Sequence, residues 1–91
     1  MRCATAVAAL VPRRRSRVIC DIESVPSFER PWVRTDAALV DGTGALTLRF
    51  LGRSGVPGLA PGARLVVQGT PSIERGVLLM RNPLYTFAVP E

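Results

Sequence analysis

The segment ALVDGTGALTLRFLGR, residues 38–53, does most to restrict what this chain can become. From Ala45 to Leu51 the residues alternate, with Leu46, Leu48 and Phe50 on one parity and Thr47 and Arg49 on the other. Side chains of a strand point alternately to its two faces, so this pattern describes a ribbon with one buried and one wet face. The preceding run, Trp32–Asp41, alternates too: Val33, Thr35, Ala37 and Leu39 share one face, and Trp32, Arg34, Asp36 and Ala38 the other. Between the runs, DGTG is turn chemistry. Asp41 can accept the turn's own N–H groups, Gly42 supplies a positive φ, and Gly44 relaxes a bulge beside it. A phosphate-cradling glycine loop needs a helix directly after the glycines to aim amide N–H groups at the anion. ALTLRF is a strand, so the motif reads as the bend of a β-hairpin.

The rest of the chain follows the same grammar. RVICDIESV, Arg17–Val25, puts Val18, Cys20 and Ile22 on one face. ARLVVQG, Ala63–Gly69, turns Leu65 and Val67 inward, after a type II turn at Pro61–Gly62. A hairpin through TPSIERG leads to VLLMRNPLYTF, Val77–Phe87, where Pro83 implies an edge or a bulge because it cannot donate to a ladder. No segment carries a helical period long enough to fill a domain, and GRSGVPGLAPG, Gly52–Gly62, is too rich in glycine and proline for more than one short turn of helix. The fold class is therefore all-β. At 91 residues, 47% of them hydrophobic, the chain can build one core, burying roughly 60–65% of the surface its unfolded form exposes.

Five strands, a hairpin between the second and third, a loop where a helix often sits and a closing hairpin make the plan of a five-stranded Greek-key OB barrel. The run LVDGTGALTLRFLGRSGVPGLAPGARLVVQG closely resembles small bacterial OB-fold nucleic-acid-binding proteins, and RNPLYTF resembles the segment that closes that family. Anticodon-binding domains and the wedge of branch-migrating helicases are similar in a less specific way. The resemblance implies an OB-fold domain over residues 16–88, with a short or absent helix between strands three and four. Residues 1–15 are expected to form a flexible or short helical lead. It also implies a groove across strands two and three, flanked by the last hairpin.

Charge points the same way. All 12 cationic side chains are arginine, against 7 acidic ones, for a net charge of +5. A cationic surface gains free energy by displacing counterions from nucleic acid, and each guanidinium is a planar fork suited to phosphate. The groove candidates are Arg30, Trp32, Arg34, Thr47, Arg49 and Arg75, with Arg53 and Arg81 extending the track. Arginines two apart on a strand lie roughly 6.5–7 Å apart, near the phosphate spacing of an extended strand. Trp32 is either a stacking platform for a base or a lid over one barrel end. Phe50, Tyr85 and Phe87 are assigned to the core or to closure, and Phe28 to an exposed loop.

Catalysis finds little to use: there is no histidine, no paired carboxylate, and no serine or cysteine beside a base. The expectation is a non-enzyme needing no metal or cofactor, which binds nucleic acid, single-stranded or junction DNA ahead of RNA, with little sequence preference. The alternative is a module that docks on a protein partner. The two cysteines, Cys3 and Cys20, make no disulfide framework, which suggests a reducing cytoplasm. The apolar run Cys3–Val11 ends in arginines and not at a small-residue cleavage site, so neither a signal peptide nor a membrane segment is expected.

Overall fold

The computed structural model of the chain describes residues 6–30, 32–53 and 55–88. Within them the protein is all-β. The elements are β1 (Ser16–Ser24), β2 (Ser27–Phe28), β3 (Arg34–Val40), β4 (Ala45–Leu51), β5 (Arg64–Gly69), β6 (Ser72–Glu74), β7 (Val77–Arg81) and β8 (Leu84–Phe87), preceded by one 3-10 turn, Val7–Ala9. They pair in the order β6-β7-β4-β3-β1-β5-β8, with β2 added to β3.

Three of these strands depart from the five expected. The loop PSFERP lays Ser27 and Phe28 against Thr35 and Arg34. The hairpin TPSIERG contributes β6, paired with β7. The last run divides because Asn82 turns to φ 45 and Pro83 has no N–H to give, so β7 and β8 find different partners. β7 runs parallel to β4, and β8 antiparallel to β5. The ladders thus form an open path with β6 and β8 at its ends, not the closed ring of five that the spacing suggested.

β1 serves both halves of the sheet. Ser16–Asp21 pairs with β5, and the strand then pairs with β3 at Ile22 and Ser24, with a register shift between those two residues. A bulge of this kind bends a strand and sharpens its twist, which lets one ribbon pass from one neighbour to the next. The inward parities are as the alternation implied. Val18, Cys20, Ile22, Ala37, Leu39, Leu46, Leu48, Leu65 and Val67 are fully buried, and Phe50 nearly so. Each large apolar side chain so covered contributes about 1.5–3 kcal/mol. Phe50 and Tyr85 meet edge to face at 5.3 Å, joining β4 to β8 across the core. Buried Thr35 is satisfied by donating to the carbonyl of Arg53 at 2.8 Å.

The connection 52–63 carries turns and no helix among its described residues. Gly62 has φ 89 and Ala63 N–H bonds to the Ala60 carbonyl, the expected type II bend. Gly58 is constrained twice, by φ 82 and by Phe87, whose Cζ would stand 2.6 Å from any added Cβ.

DGTG does join β3 to β4, but it is not self-contained. One Asp41 oxygen accepts Thr43 N–H at 2.9 Å, Thr43 Oγ1 at 2.6 Å and Gly44 N–H at 3.2 Å, while the other accepts Val7 N–H at 2.8 Å. Ala8 N–H reaches Thr43 Oγ1. Gly44 relaxes no bulge; its missing side chain makes room for Val7, whose Cγ1 would lie 3.2 Å from an added Cβ. Val7 is 2% exposed and belongs to the core, so the described part of the lead is docked. Cys20 is buried, as its apolar face implied, and is disulfide-bonded. That removes the ground for inferring a reducing compartment from cysteine usage; Cys3 lies outside the described residues. No described helix is long and apolar enough to cross a membrane.

Candidate nucleic-acid interface

The outward parity of β3, β4 and β7 brings distant arginines together. Asp36 stands opposite Arg49 across the antiparallel β3–β4 ladder, and Arg49 stands beside Arg81 across the parallel β4–β7 ladder. One row therefore crosses three strands at the interstrand spacing of about 4.8 Å. Arg34 lies two residues before Asp36, on the same face.

Two adjoining clefts open over this row. One, of about 510 Å³, is lined by Trp32, Val33, Arg34, Arg49, Leu51 and Arg81, with Gly52 at its edge. The other, of about 610 Å³, shares Trp32, Arg34, Arg49 and Arg81 and adds Glu74, Arg75, Val77 and Leu79. Trp32 is 69% exposed where the two meet, so it is not a lid packed over the core. Val33, Leu51 and Val77 give the surroundings an apolar character that the arginine pattern alone does not convey.

The guanidiniums are not equivalent. Arg49 grips both Asp36 oxygens, through Nε to Oδ1 at 3.1 Å and a terminal nitrogen to Oδ2 at 3.3 Å, and Arg34 Nε lies 3.5 Å from the same Oδ2. Asp36 is only 8% exposed although its parity is outward, because both arginines fold over it. Arg34 also stacks on the Phe28 ring at 4.5 Å, a cation–π contact that fixes its plane. Arg81 is clasped by Glu74 through both carboxylate oxygens. That hydrogen bond holds the Glu74 carboxyl below its ordinary pKa and raises that of Arg81.

Arg75 differs from these three. It sits with Gly76 in a two-residue hairpin between Glu74 and Val77, at φ 52 and 80, the twist of a type I′ turn. A non-glycine residue in this region is strained, and arginine there carries its charge on the rim of the cleft without a carboxylate partner among the described residues.

The structure thus gathers Trp32, Arg34, Arg49, Arg75 and Arg81. It leaves Arg30 and Arg53 exposed outside both clefts, and Thr47, between Ala38 and Leu79 in the ladders, also lines neither. Asp36 and Glu74 interrupt the row of guanidiniums, so four cations face two carboxylates. Sequence reasoning placed Asp36 on the outward face with Arg34 and missed Glu74. Asp36 is visible at the spacing that puts it opposite Arg49, whereas Glu74 meets Arg81 only through the β6–β7 hairpin. No group of three or more metal-ligating side chains occurs among the described residues. No protein-family model, curated protein or solved structure matches this chain.

Proposed function

We propose that this protein is a non-catalytic OB-type barrel that binds nucleic acid, preferentially single-stranded or junction DNA, with little sequence preference. In this reading β7 and β8 are one strand interrupted at Asn82–Pro83, so that the chain itself closes the ring between β4 and β5. Support comes from the pairing scheme: an antiparallel β1–β3–β4 meander, a parallel β4–β7 pair and an antiparallel β1–β5 pair are those of the five-stranded Greek-key barrel.

The observation that carries the functional reading is Trp32. An indole held 69% exposed between two clefts whose walls include four guanidiniums is costly unless something covers it. A base stacked on it, with arginines on the flanking phosphates, accounts for both features; stacking on an aromatic is worth about 1–3 kcal/mol per base and tolerates any base. Paired Arg34, Arg49 and Arg81 act mainly as a fixed positive wall, and Arg75 as the adaptable contact. The proposed place of action is the cytoplasm, although a disulfide such as that of Cys20 is a feature of oxidising compartments.

Trp32 is the single tryptophan, so its fluorescence reports directly on the cleft. Titration with decathymidylate at low salt is expected to quench it, with affinity falling as salt rises. A labelled strand followed by anisotropy should bind Trp32→Ala at least tenfold more weakly. Unquenched fluorescence at low salt refutes the reading. The exposed Val33, Leu51 and Val77 beside Trp32 favour a second reading, docking of a protein segment on the same face, which predicts binding insensitive to salt and no response to any oligonucleotide.

A further inference from the structure

Beyond the cleft, a third depression of about 350 Å³ lies where the arginine run before β1 meets the β5–β6 turn. Its polar lining consists of Arg15, Gln68, Thr70, Ser72, Arg81 and Asn82, and no carboxylate borders it. Two arginines, two hydroxyls and two amides around one opening form a donor-rich set that matches the oxygens of a phosphate; Arg15 carries the open guanidinium, since Arg81 already holds Glu74 through Nε and one terminal nitrogen. We propose that this pocket is a phosphate subsite which takes the next backbone phosphate of the strand lying in the Trp32 cleft; the inference rests on the reading of that cleft as a nucleic-acid site.

Two features of the backbone make the pocket a formed site and not a chance meeting of surface side chains. The arginine run is pinned: Arg13, at φ 70, donates its N–H to the Pro71 carbonyl at 2.8 Å, Ser16 Oγ bonds the Arg14 carbonyl, and Ser16 pairs with Gly69. Arg15 is thereby held against the turn that carries Thr70 and Ser72, so little backbone entropy is lost when an anion arrives. On the other wall Asn82, at φ 45, accepts Leu51 N–H at its Oδ1 and donates its own N–H to the Arg49 carbonyl, which fixes the amide between cleft and pocket. Arg81 borders both clefts and this pocket, so one guanidinium links them into a continuous path. The rest of the run does not share this position. Arg17 borders a different depression, with Val66, Gln68 and Tyr85.

The test compares wild type, Arg15→Ala/Ser72→Ala and the control Arg17→Ala in decathymidylate titrations read by Trp32 quenching, with circular dichroism confirming the fold of each. Arg15→Gln serves in place of the double variant if that does not fold. Losing one phosphate contact on a single strand lowers the slope of log K against log salt by about 0.7, and affinity at low salt by roughly fivefold to tenfold. The double variant should show both changes with its quenching amplitude retained, and Arg17→Ala should show a smaller change in each. A 5′-phosphorylated strand separates the sources of the phosphate. If phosphorylation tightens binding to wild type but not to the double variant, the pocket holds a terminal monoester; if it has no effect, it holds a backbone diester. Wild-type affinity and salt slope in the double variant, or an equal loss in Arg17→Ala, overturns the subsite while leaving the cleft intact. Absence of quenching in the wild-type protein overturns the cleft reading and the subsite with it.

Discussion

Replacing Arg75 with asparagine should move stability and binding in opposite directions, which no general unfolding effect can imitate. Arg75 occupies the first position of the two-residue β6–β7 hairpin at φ 52, followed by Gly76 at φ 80. The left-handed region costs an ordinary L-residue roughly 1–2 kcal/mol, and asparagine pays less because its short amide bonds locally; Asn-Gly is the favoured pair for this turn. Arg75 is exposed and no ion pair of it is seen among the described residues, so little native contact is lost in exchange. The expected gain is about 0.5–1 kcal/mol, equivalent to about 2–8 °C in Tm for a domain of this size. Binding of decathymidylate should weaken by roughly fivefold, and the salt slope should fall by about 0.7, because one phosphate contact disappears. Thermal unfolding should be followed by far-ultraviolet circular dichroism; Trp32, already exposed in the native state, is a poor reporter of folding and a good one of the ligand. Loss of stability in Arg75→Asn, or unchanged affinity and salt slope, refutes the argument that strain is retained here to hold a charge over the cleft.

Asp36→Ala leaves the partly buried guanidiniums of Arg34 and Arg49 without their carboxylate; removing one partner of a fully buried pair costs about 3–5 kcal/mol, and discounting for their residual exposure gives about 2–3 kcal/mol in urea unfolding. A double-mutant cycle with Arg49→Ala should show coupling above about 0.5 kcal/mol. Asp41 is held down to about 2, first by the Thr43 hydroxyl and then by Val7 N–H, so its contribution is complete above the ordinary carboxylate value and is lost as pH falls through about 2. Acid unfolding of Asp41→Asn should therefore show a shallower loss of stability between about pH 4 and pH 2 than wild type. Gly58→Ala combines a positive φ with a Cβ driven into the Phe87 ring and should cost about 2 kcal/mol or more by thermal unfolding, whereas Gly42→Ala, at φ 83 in open space, carries only the backbone penalty of about 1 kcal/mol.

The buried faces were legible because alternation is local: parity alone places Val18, Cys20 and Ile22, or Leu46, Leu48 and Phe50, on one side of their strands. Turn chemistry was equally readable at Gly42 and Gly62, where φ is positive as the motifs require. What parity does not encode is pairing at a distance. Ser27 and Phe28 look like loop until β3 lies beside them, and Val77–Phe87 reads as one run because nothing in its apolar pattern shows that its halves have different neighbours. The site divides along the same line. Trp32, Arg34 and Arg49 follow from strand parity, and Arg75 and Arg81 from the last hairpin. The burial of Asp36 under two arginines and the clasp of Glu74 on Arg81 depend on side chains meeting across ladders.

The bond between Val7 and Asp41 spans 34 positions of the chain. During synthesis the apolar segment around Val7 emerges early, but the turn that receives it appears only after three strands, β1 to β3, have been made. Until then Val7, buried in the folded core, lacks the carboxylate that accepts its N–H. The segment around Val7 thus waits for a seat that a later stretch of the chain must supply.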